Sequence, residues 1–528
     1  MKKYVVYSRL IDDEPKEKYA HGGVDAEVGL SARIAEWLGE SAETADDEKA
    51  HEYEVLVGSV DRDRSRECLE KLALNQYGVF CFEDGIAVAG HCVAAVLMAG
   101  ELLLSTPKEM LVAGYERIET NSEWWIDYPR FTRGRYLGMT DCSYGRVQTV
   151  FGDTTDADLE YYTEQLECAG FSRVWQNQIE ENRFVRYEKD GNFVHVTYRG
   201  RMRRTSIISG DSGRCRTVLP EKTECEGDCS VTLTQLALDY SGGAFGMCYV
   251  IRLADSSFII IDGGQIRVKN GYPKTYDHVR LYTLLTELNK RADGEIVING
   301  WFMTHEHSDH FALFYWFCKE YGSKIRVDKY YDCSCTDAVA YNAKNPEYHT
   351  TRGRLNVAQE WCGGFERVTL ISGDVIEMGD VKLEILYTVD DLFPERLHYF
   401  NDASFVCTMT YGGQRTLWLG DICTAPSRFL RENYSEKTLK SHIVQLAHHG
   451  LNGAEKELYD IADGRVLLWS LRYRIVDDIF AKEPIEEHKK LAYYLRDEMR
   501  VEEIITHTKD NDTLTLPYYT QGGTRERL

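Results

Sequence analysis

The stretch WFMTHEHSDHFALF, residues 301 to 314, constrains this chain more than any other. Three histidines and two acids fall within positions 305 to 310, between an apolar run ending at Met303 and another starting at Phe311. Imidazoles and carboxylates taken into a core are costly unless each is paired or bound to a metal, so the fold must bring compensation to this point. In extended backbone, side chains alternate: His305, His307 and Asp309 face one way, Glu306 and Ser308 the other. His310 then opens an apolar helix, HFALFYWFCKEYG. Four imidazole and carboxylate donors this close suit zinc, or manganese or iron, better than calcium. Taken singly, Asp309 could be a helix N-cap and any one histidine a satisfied core residue. Taken together, in this order after a strand, they read as a metal-binding comb.

The surrounding pattern is α/β. SSFIIIDGG is a short continuous apolar run ending in Gly-Gly, the mark of a strand covered on both faces. DHVRLYTLLTELNKRADG places Leu281, Leu284, Leu285 and Leu288 on one helical face and is expected to stop at Asp293-Gly294. EIVINGWFM is the next strand and delivers the chain to Thr304. Upstream, GVFCFEDGIAVAG reads as a hairpin turning at Asp84-Gly85 and leading into a buried helix, which makes residues 1–150 an α/β accessory domain. DADLEYYTEQLECAGF, stopping at Gly170, and the hairpin RFVRYEKDGNFVHVTYRG predict a small α+β unit over 151–208. The polar, glycine-rich 209–230 reads as a linker, and 231–528 as the domain that carries the comb. There is no internal repeat.

A length of 528 residues exceeds one ordinary core and favours several domains. No apolar stretch reaches the length of a membrane helix, and the start MKKYVVYSRLIDDEPKEK lacks the uninterrupted apolar core of a signal peptide, so a soluble, cytoplasmic protein is expected. Fifteen cysteines, an odd number scattered along the chain, read as reduced and mostly buried. Cys225/Cys229 and Cys333/Cys335 resemble half zinc sites without a second half and read as small apolar fillers. A formal charge of −23 disfavours nucleic acid, because such binding rests on cationic side chains releasing counterions. The basic run Arg199, Arg201, Arg203 and Arg204 alternates like the wet face of a strand.

His305, His307, Asp309 and His310 meet the His-x-His-x-Asp-His signature of the metallo-β-lactamase fold, which this region resembles. RTLWLGD ends at Asp421, where that family places a carboxylate bridging two metals, and SHIVQLAHHG ends where it places its last histidine. Position after the strand favours His448 as that ligand and leaves His449 for proton transfer or leaving-group contact, with the reverse order as the alternative. Asp262, closing FIIIDGG, matches an acid that is structural rather than a ligand. NDASFVCTMTYGGQRTLWLGD, the His-His-Gly and the ending HKKLAYYLRDEMRVEEIITHTKDNDTLTL resemble the C-terminal domain of ComEC-type DNA-uptake proteins; the resemblance covers roughly 233 to 518. Three departures stand out: no Gln-Gly-Asp near SGGAFGMCYVI, no clear counterpart of the histidine between comb and bridging aspartate, for which only His349 and His398 are candidates, and an insertion over 328–365.

The resemblance implies a C-terminal αββα sandwich and a hydrolase with two divalent ions, zinc first. His305 and His307 would hold one, Asp309, His310 and His448 the other, and Asp421 both. A metal-bound hydroxide would attack, Asp309 orienting it and either His449 or a metal-bound water protonating the leaving group, with a phosphoester or phosphodiester favoured. A lactone or thioester hydrolase on the same scaffold, or a binding protein with an inert hydrolase domain, are the alternatives. The substrate is then a small molecule or a phosphodiester, with no membrane partner; nothing in the sequence sets the oligomeric state.

Overall fold

The protein is described from a computed structural model over residues 4–9, 22–39, 42–45, 51–58, 60, 62–72, 76–90, 93–120, 128–212, 216–218, 222–239, 246–333, 335, 339–340, 343, 345, 348–395, 397–451, 453–472, 491, 494–495, 498–499, 501–507 and 511–519. Three bodies follow along the chain. The first sheet runs in the order Ala42–Ala45, Tyr4–Arg9, Glu54–Gly58, Gly85–Gly90, Gln76–Phe82, Glu116–Thr120. Its β-branched strands pack two ways: Leu30, Ile34, Val96 and Leu103 from Gly22–Leu38 and Val93–Ser105 cover one face, Cys68 and Leu69 from Asp63–Lys71 the other. The expected hairpin at Asp84-Gly85 is present in antiparallel register, Phe82 opposite Gly85.

The second sheet is antiparallel, in the order Arg135–Asp141, Val147–Gly152, Arg204–Asp211, Asn192–Arg199, Asn182–Lys189, Ser172–Ile179. It therefore takes in strands upstream of the expected 150/151 boundary, and Phe131 already lies in its core. Helix Asp156–Cys168 starts at a Thr155–Asp158 capping box and lays Leu159, Tyr162 and Leu166 on one face, over Val185, Tyr187, Val194 and Val196. Period-two alternation sends Phe184, Arg186, His195 and Arg199 to the other face. That face is not wet. Arg199 and Arg204 are buried: Arg199 Nη2 donates to Asp391 at 2.7 Å and Arg204 to the Asp391 carbonyl. Arg186 meets Asp374 at 2.7 Å and Arg146 meets Asp390 at 2.9 Å. The solvated reading of the basic run is corrected for these two members; alternation reveals a face but not what covers it. Arg201, more exposed, pairs with Glu180 and Glu181.

The third body is an αββα sandwich. One sheet runs Glu366–Thr369, Ile325–Asp332, Ile296–Phe302, Phe258–Ile261, Tyr249–Arg252, Thr232–Gln235, Asp512–Thr515. The other runs Lys222–Thr223, Val375–Met378, Val381–Tyr387, Val406–Tyr411, Gln414–Trp418, Ile443–Gln445, Val466–Arg472, Glu503–His507. Their facing sides share one apolar core that includes Ile259, Phe302, Leu383 and Trp418. Helices Asp277–Leu288, Ser308–Tyr321 and Tyr348–Trp361 cover the first sheet's outer side. Thr424–Asn433 and Lys456–Ala462, with part of the second body, cover the other. Lys222–Thr223, inside the expected linker, pairs in parallel with Glu377 and Met378 and so belongs to the sandwich edge. Helix Asp277–Leu288 ends short of Asp293-Gly294 because Asn289 leaves helical backbone and its amide caps the Gly294 and Glu295 carbonyls. The helix expected in HKKLAYYLRDEM falls mostly outside the described residues. Among the described residues no helix is long and apolar enough to cross a membrane.

Candidate metal centre

Every residue of the strand Ile296–Phe302 is buried, and the strand runs parallel to Phe258–Ile261 and Ile325–Asp332. Two parallel neighbours thus aim the chain's exit at the loop 304–307. Asp262, just past the end of Phe258–Ile261 and at φ +57°, clamps both sides of that loop. Its Oδ1 accepts from the Thr304 backbone N–H at 2.8 Å, and its Oδ2 lies 2.9 Å from His310 Nδ1. The acid read as structural therefore orients an imidazole, holding Nδ1 and leaving Nε2 turned inward.

The comb is shorter than alternation alone suggested. Helix Ser308–Tyr321 starts directly after His307, so Asp309 and His310 reach the site from the helix's first turn. A carboxylate is favoured there by the unpaired N–H groups and the macrodipole. Only His305 and His307 share an extended face, and His305 Nε2 lies 2.9 Å from His307 Nδ1. His305 Nδ1 is 3.2 Å from Ser404 Oγ, which also accepts from Asp421 N–H at 3.0 Å.

Asp421 follows Gly420, whose φ is +53° and whose α-carbon faces Ser404 and Thr304 so closely that a Cβ would lie 2.8 Å from Ser404 Cβ. Gln445 Oε1 accepts the N–H groups of Leu419 and Gly420 and holds the turn. On the far side, His448 and His449 take left-handed backbone, φ +49° and +56°. Trp469 Nε1 donates to the His449 carbonyl at 2.7 Å, and Ser470 Oγ lies 3.0 Å from His449 Nδ1. His449 Nε2 then stands 3.2 Å from Asp309 Oδ2 and 3.5 Å from Asp421 Oδ2.

One ligand atom each from Asp309, His310, Asp421 and His449 lies within 4.8 Å of all the others. The placement expected for the last strand is therefore corrected: His449, not His448, enters the cluster. The left-handed pair of residues decides this, turning the second ring inward, and consecutive His-His carries no sign of that backbone. His448 stands at the edge, its ring centroid 6.1 Å from that of His449 and its Nδ1 buried without a hydrogen-bond partner among the described residues. His305 and His307 adjoin the group; His305 is 4.3 Å from His310 between ring centroids. His398 is exposed, away from the cluster, and the His349 side chain lies outside the described residues. Cys225, Cys333 and Cys335 are buried, and no cysteine joins a metal-type group among the described residues.

Charge inside the cluster is arranged as anions facing cations. Burial pushes the Asp309 and Asp421 carboxyls up, yet His449 and His310 outweigh it and hold both below the usual carboxylate range. Burial likewise disfavours charge on His310 and His449, but Asp421, with Asp262 or Asp309, raises both imidazoles. His305 and His307 stay low, through burial first and repulsion from neighbouring imidazoles. Protons thus serve as the only cations the chain itself can place here. They do not close the site: His310 Nε2 faces Asp421 Oδ2 at 3.1 Å, but Asp421 Oδ1 is buried with no hydrogen-bond partner among the described residues. A buried orphan acceptor costs roughly 1–3 kcal/mol. Two carboxylates, two oriented imidazoles and adjoining imidazole nitrogens fit a divalent first-row ion.

No protein-family model and no curated protein matches the chain. Similar solved structures include the metallo-beta-lactamase fold protein YhfI from Bacillus subtilis, at 11% identity over 46% of this chain and 85% of that one, with a TM-score of 0.26. Unliganded yeast PDE1 is 11% identical over 55% of this chain and 100% of its own, TM-score 0.31. CmlA, a diiron beta-hydroxylase from Streptomyces venezuelae, is 12% identical over 57% of this chain and 55% of that one, TM-score 0.29. Likeness at this level assigns no reaction; the fold reading rests on the αββα layers, and the site reading on the converging side chains.

Proposed function

We propose that the chain is a metal-dependent hydrolase centred on Asp309, His310, Asp421 and His449, with His305 and His307 forming an adjoining second set. The single observation that carries this is a buried group of acids and imidazoles that the protein leaves with orphaned atoms. Zinc is the first candidate, manganese and iron the next, and Asp421 stands between the two sets as the residue able to serve both. A divalent ion in such a cage supplies Lewis-acid polarisation and acidifies water toward neutral pH. The chain's own residues do the rest. Asp262 holds His310 at Nδ1, Ser470 holds His449 at Nδ1 and Ser404 holds His305 at Nδ1, so each Nε2 faces inward. Asp309 orients the attacking water. With His449 taken into the cage, proton delivery to the leaving group passes to His448, whose Nδ1 has no hydrogen-bond partner among the described residues.

A phosphoester or phosphodiester is the favoured bond, because paired donor sets suit a tetrahedral anionic centre and because the 233–518 segment resembles ComEC-type domains. Phe400, 5.0 Å from the His307 ring, makes an apolar wall and keeps a lactone or thioester as the second reading. The test compares bis-p-nitrophenyl phosphate, a lactone and a thioester with zinc- or manganese-loaded protein and its His310→Ala variant. Phosphodiester turnover lost in the variant supports the proposal; faster lactone or thioester turnover moves the substrate class, and metal-free, inactive wild type ends it.

A further inference from the structure

The comb's second face leads away from the cluster. Glu306 is buried between His305 and His307, beside Asp332, Arg352, Arg367 and Tyr348. Two acids here face two guanidinium groups, and both guanidinium groups are held by the second body rather than by the sandwich alone. Ser143, Tyr144 and Gly145 form a turn between strands Arg135–Asp141 and Val147–Gly152, all three at positive φ (+76°, +51° and +70°). Two consecutive non-glycine residues in that region persist only when their surroundings hold them. Ser143 Oγ accepts from Arg352 Nη2 at 3.1 Å. The Arg352 guanidinium lies 4.2 Å over the Tyr144 ring, and Arg367 donates to the Tyr144 hydroxyl.

From Arg352 the contacts run straight to the metal ligands. Arg352 Nη1 donates to the Tyr348 hydroxyl at 3.1 Å. Tyr348 packs on Phe400 with ring centroids 5.0 Å apart, and Phe400 packs on His307 and His305 at 5.0 and 5.9 Å. We infer that the Ser143–Tyr144 turn of the second body positions the metal-binding loop, acting through Arg352 and Tyr348 on Glu306 and Phe400. Ser143, Tyr144, Arg352 and Tyr348 are positioning residues on this account: none reaches the cage, yet they set the angle at which His305 and His307 enter it. The inference rests on the metal-dependent reading of that cage. It explains why a sandwich domain carries a second body pinned to it by buried contacts, and why the helix Tyr348–Trp361 holds a fully buried arginine, Arg352.

Cobalt supplies the test, since its visible spectrum reports ligand geometry without turnover. Ser143→Ala and Tyr144→Ala are compared with Arg186→Met, which breaks a contact to Asp374 in the same interface away from the comb. Cobalt affinity is measured by chelator competition and folding by thermal unfolding. Groups bonded directly to metal ligands change metal affinity about 10- to 100-fold, and a loss through this longer chain of contacts falls within that bound. The expected result is such a loss, with an altered spectrum, in the Ser143 and Tyr144 variants, partial rescue in Tyr144→Phe, and an unchanged spectrum in Arg186→Met. Equal affinity and spectra across all variants, with only unfolding temperature moving, overturns the positioning role while leaving the cage intact. Absence of cobalt binding in the wild type overturns the cage reading and the positioning role together.

Discussion

Two buried sets of aspartates in the sandwich domain are neutralised differently. At the seam with the second body, Asp374, Asp390 and Asp391 meet Arg186, Arg146 and Arg199. Both oxygens of Asp374 are taken, one by Arg186 and one by the Ile371 N–H; Asp391 receives Arg199, Ser372 and the Thr388 N–H. Among the described residues, what remains unpartnered at the seam includes donor capacity, on Arg186 Nε and Arg199 Nε. In the cage the remainder among the described residues includes acceptor capacity, on Asp421 Oδ1. Leftover N–H groups cannot hold a cation, whereas leftover lone pairs can. Equal burial therefore gives a closed structural joint in one place and a receptive site in the other.

Replacing Asp421 with Ala should have the largest effect, removing the carboxylate proposed to serve both donor sets. Loss of several kcal/mol of charge stabilisation corresponds to about 10³-fold or more in turnover at 1.36 kcal/mol per tenfold. Steady-state hydrolysis beside metal content checks it; retained turnover would erase the distinction between cage and seam. Arg199→Met should do the reverse, destabilising the fold by roughly 3–5 kcal/mol because Asp391 is left buried and unpaired. Metal bound per folded molecule should hold constant, as read by urea unfolding and metal analysis. Asp262→Asn sharpens the contrast at the cage's margin, with an expected loss of metal affinity of about 10- to 100-fold and little change in folding.

pH gives the smallest and most graded effect. The depressed Asp309 and Asp421 stabilise the metal-free fold above their ordinary value of 3.8, and that contribution is lost as pH falls through their folded values. The raised His310 and His449 stabilise it below their ordinary 6.5, and that contribution is lost as pH rises through their folded values. Metal-free protein is thus expected to lose stability on the alkaline side. Zinc needs deprotonated imidazoles, so the rise in melting temperature it causes should be larger near pH 8 than near pH 6, about one pH unit on either side of neutrality. A zinc effect that shrinks with pH would contradict this charge arrangement.

The comb and the strand before it could be read directly, because apolar strands flanking clustered ligands leave few alternatives. Asp421 was legible too, at the end of RTLWLGD. The choice between His448 and His449 was not, since two left-handed residues decide which ring turns inward and either histidine can adopt them. The same limit hid the seam: Arg199 and Arg204 show strand alternation, but the aspartates that cover them lie nearly two hundred positions away. Alternation places Asp309 on extended backbone, whereas the helix begins at Ser308, a shift that changes how the residue reaches the cage but not that it does.

The most direct measurement is elemental metal analysis of the purified wild type beside His449→Ala and His448→Ala. The account predicts bound divalent metal in the wild type and in His448→Ala, and its loss from a folded His449→Ala. Metal retained by His449→Ala and lost from His448→Ala, or none in any of the three, would contradict it.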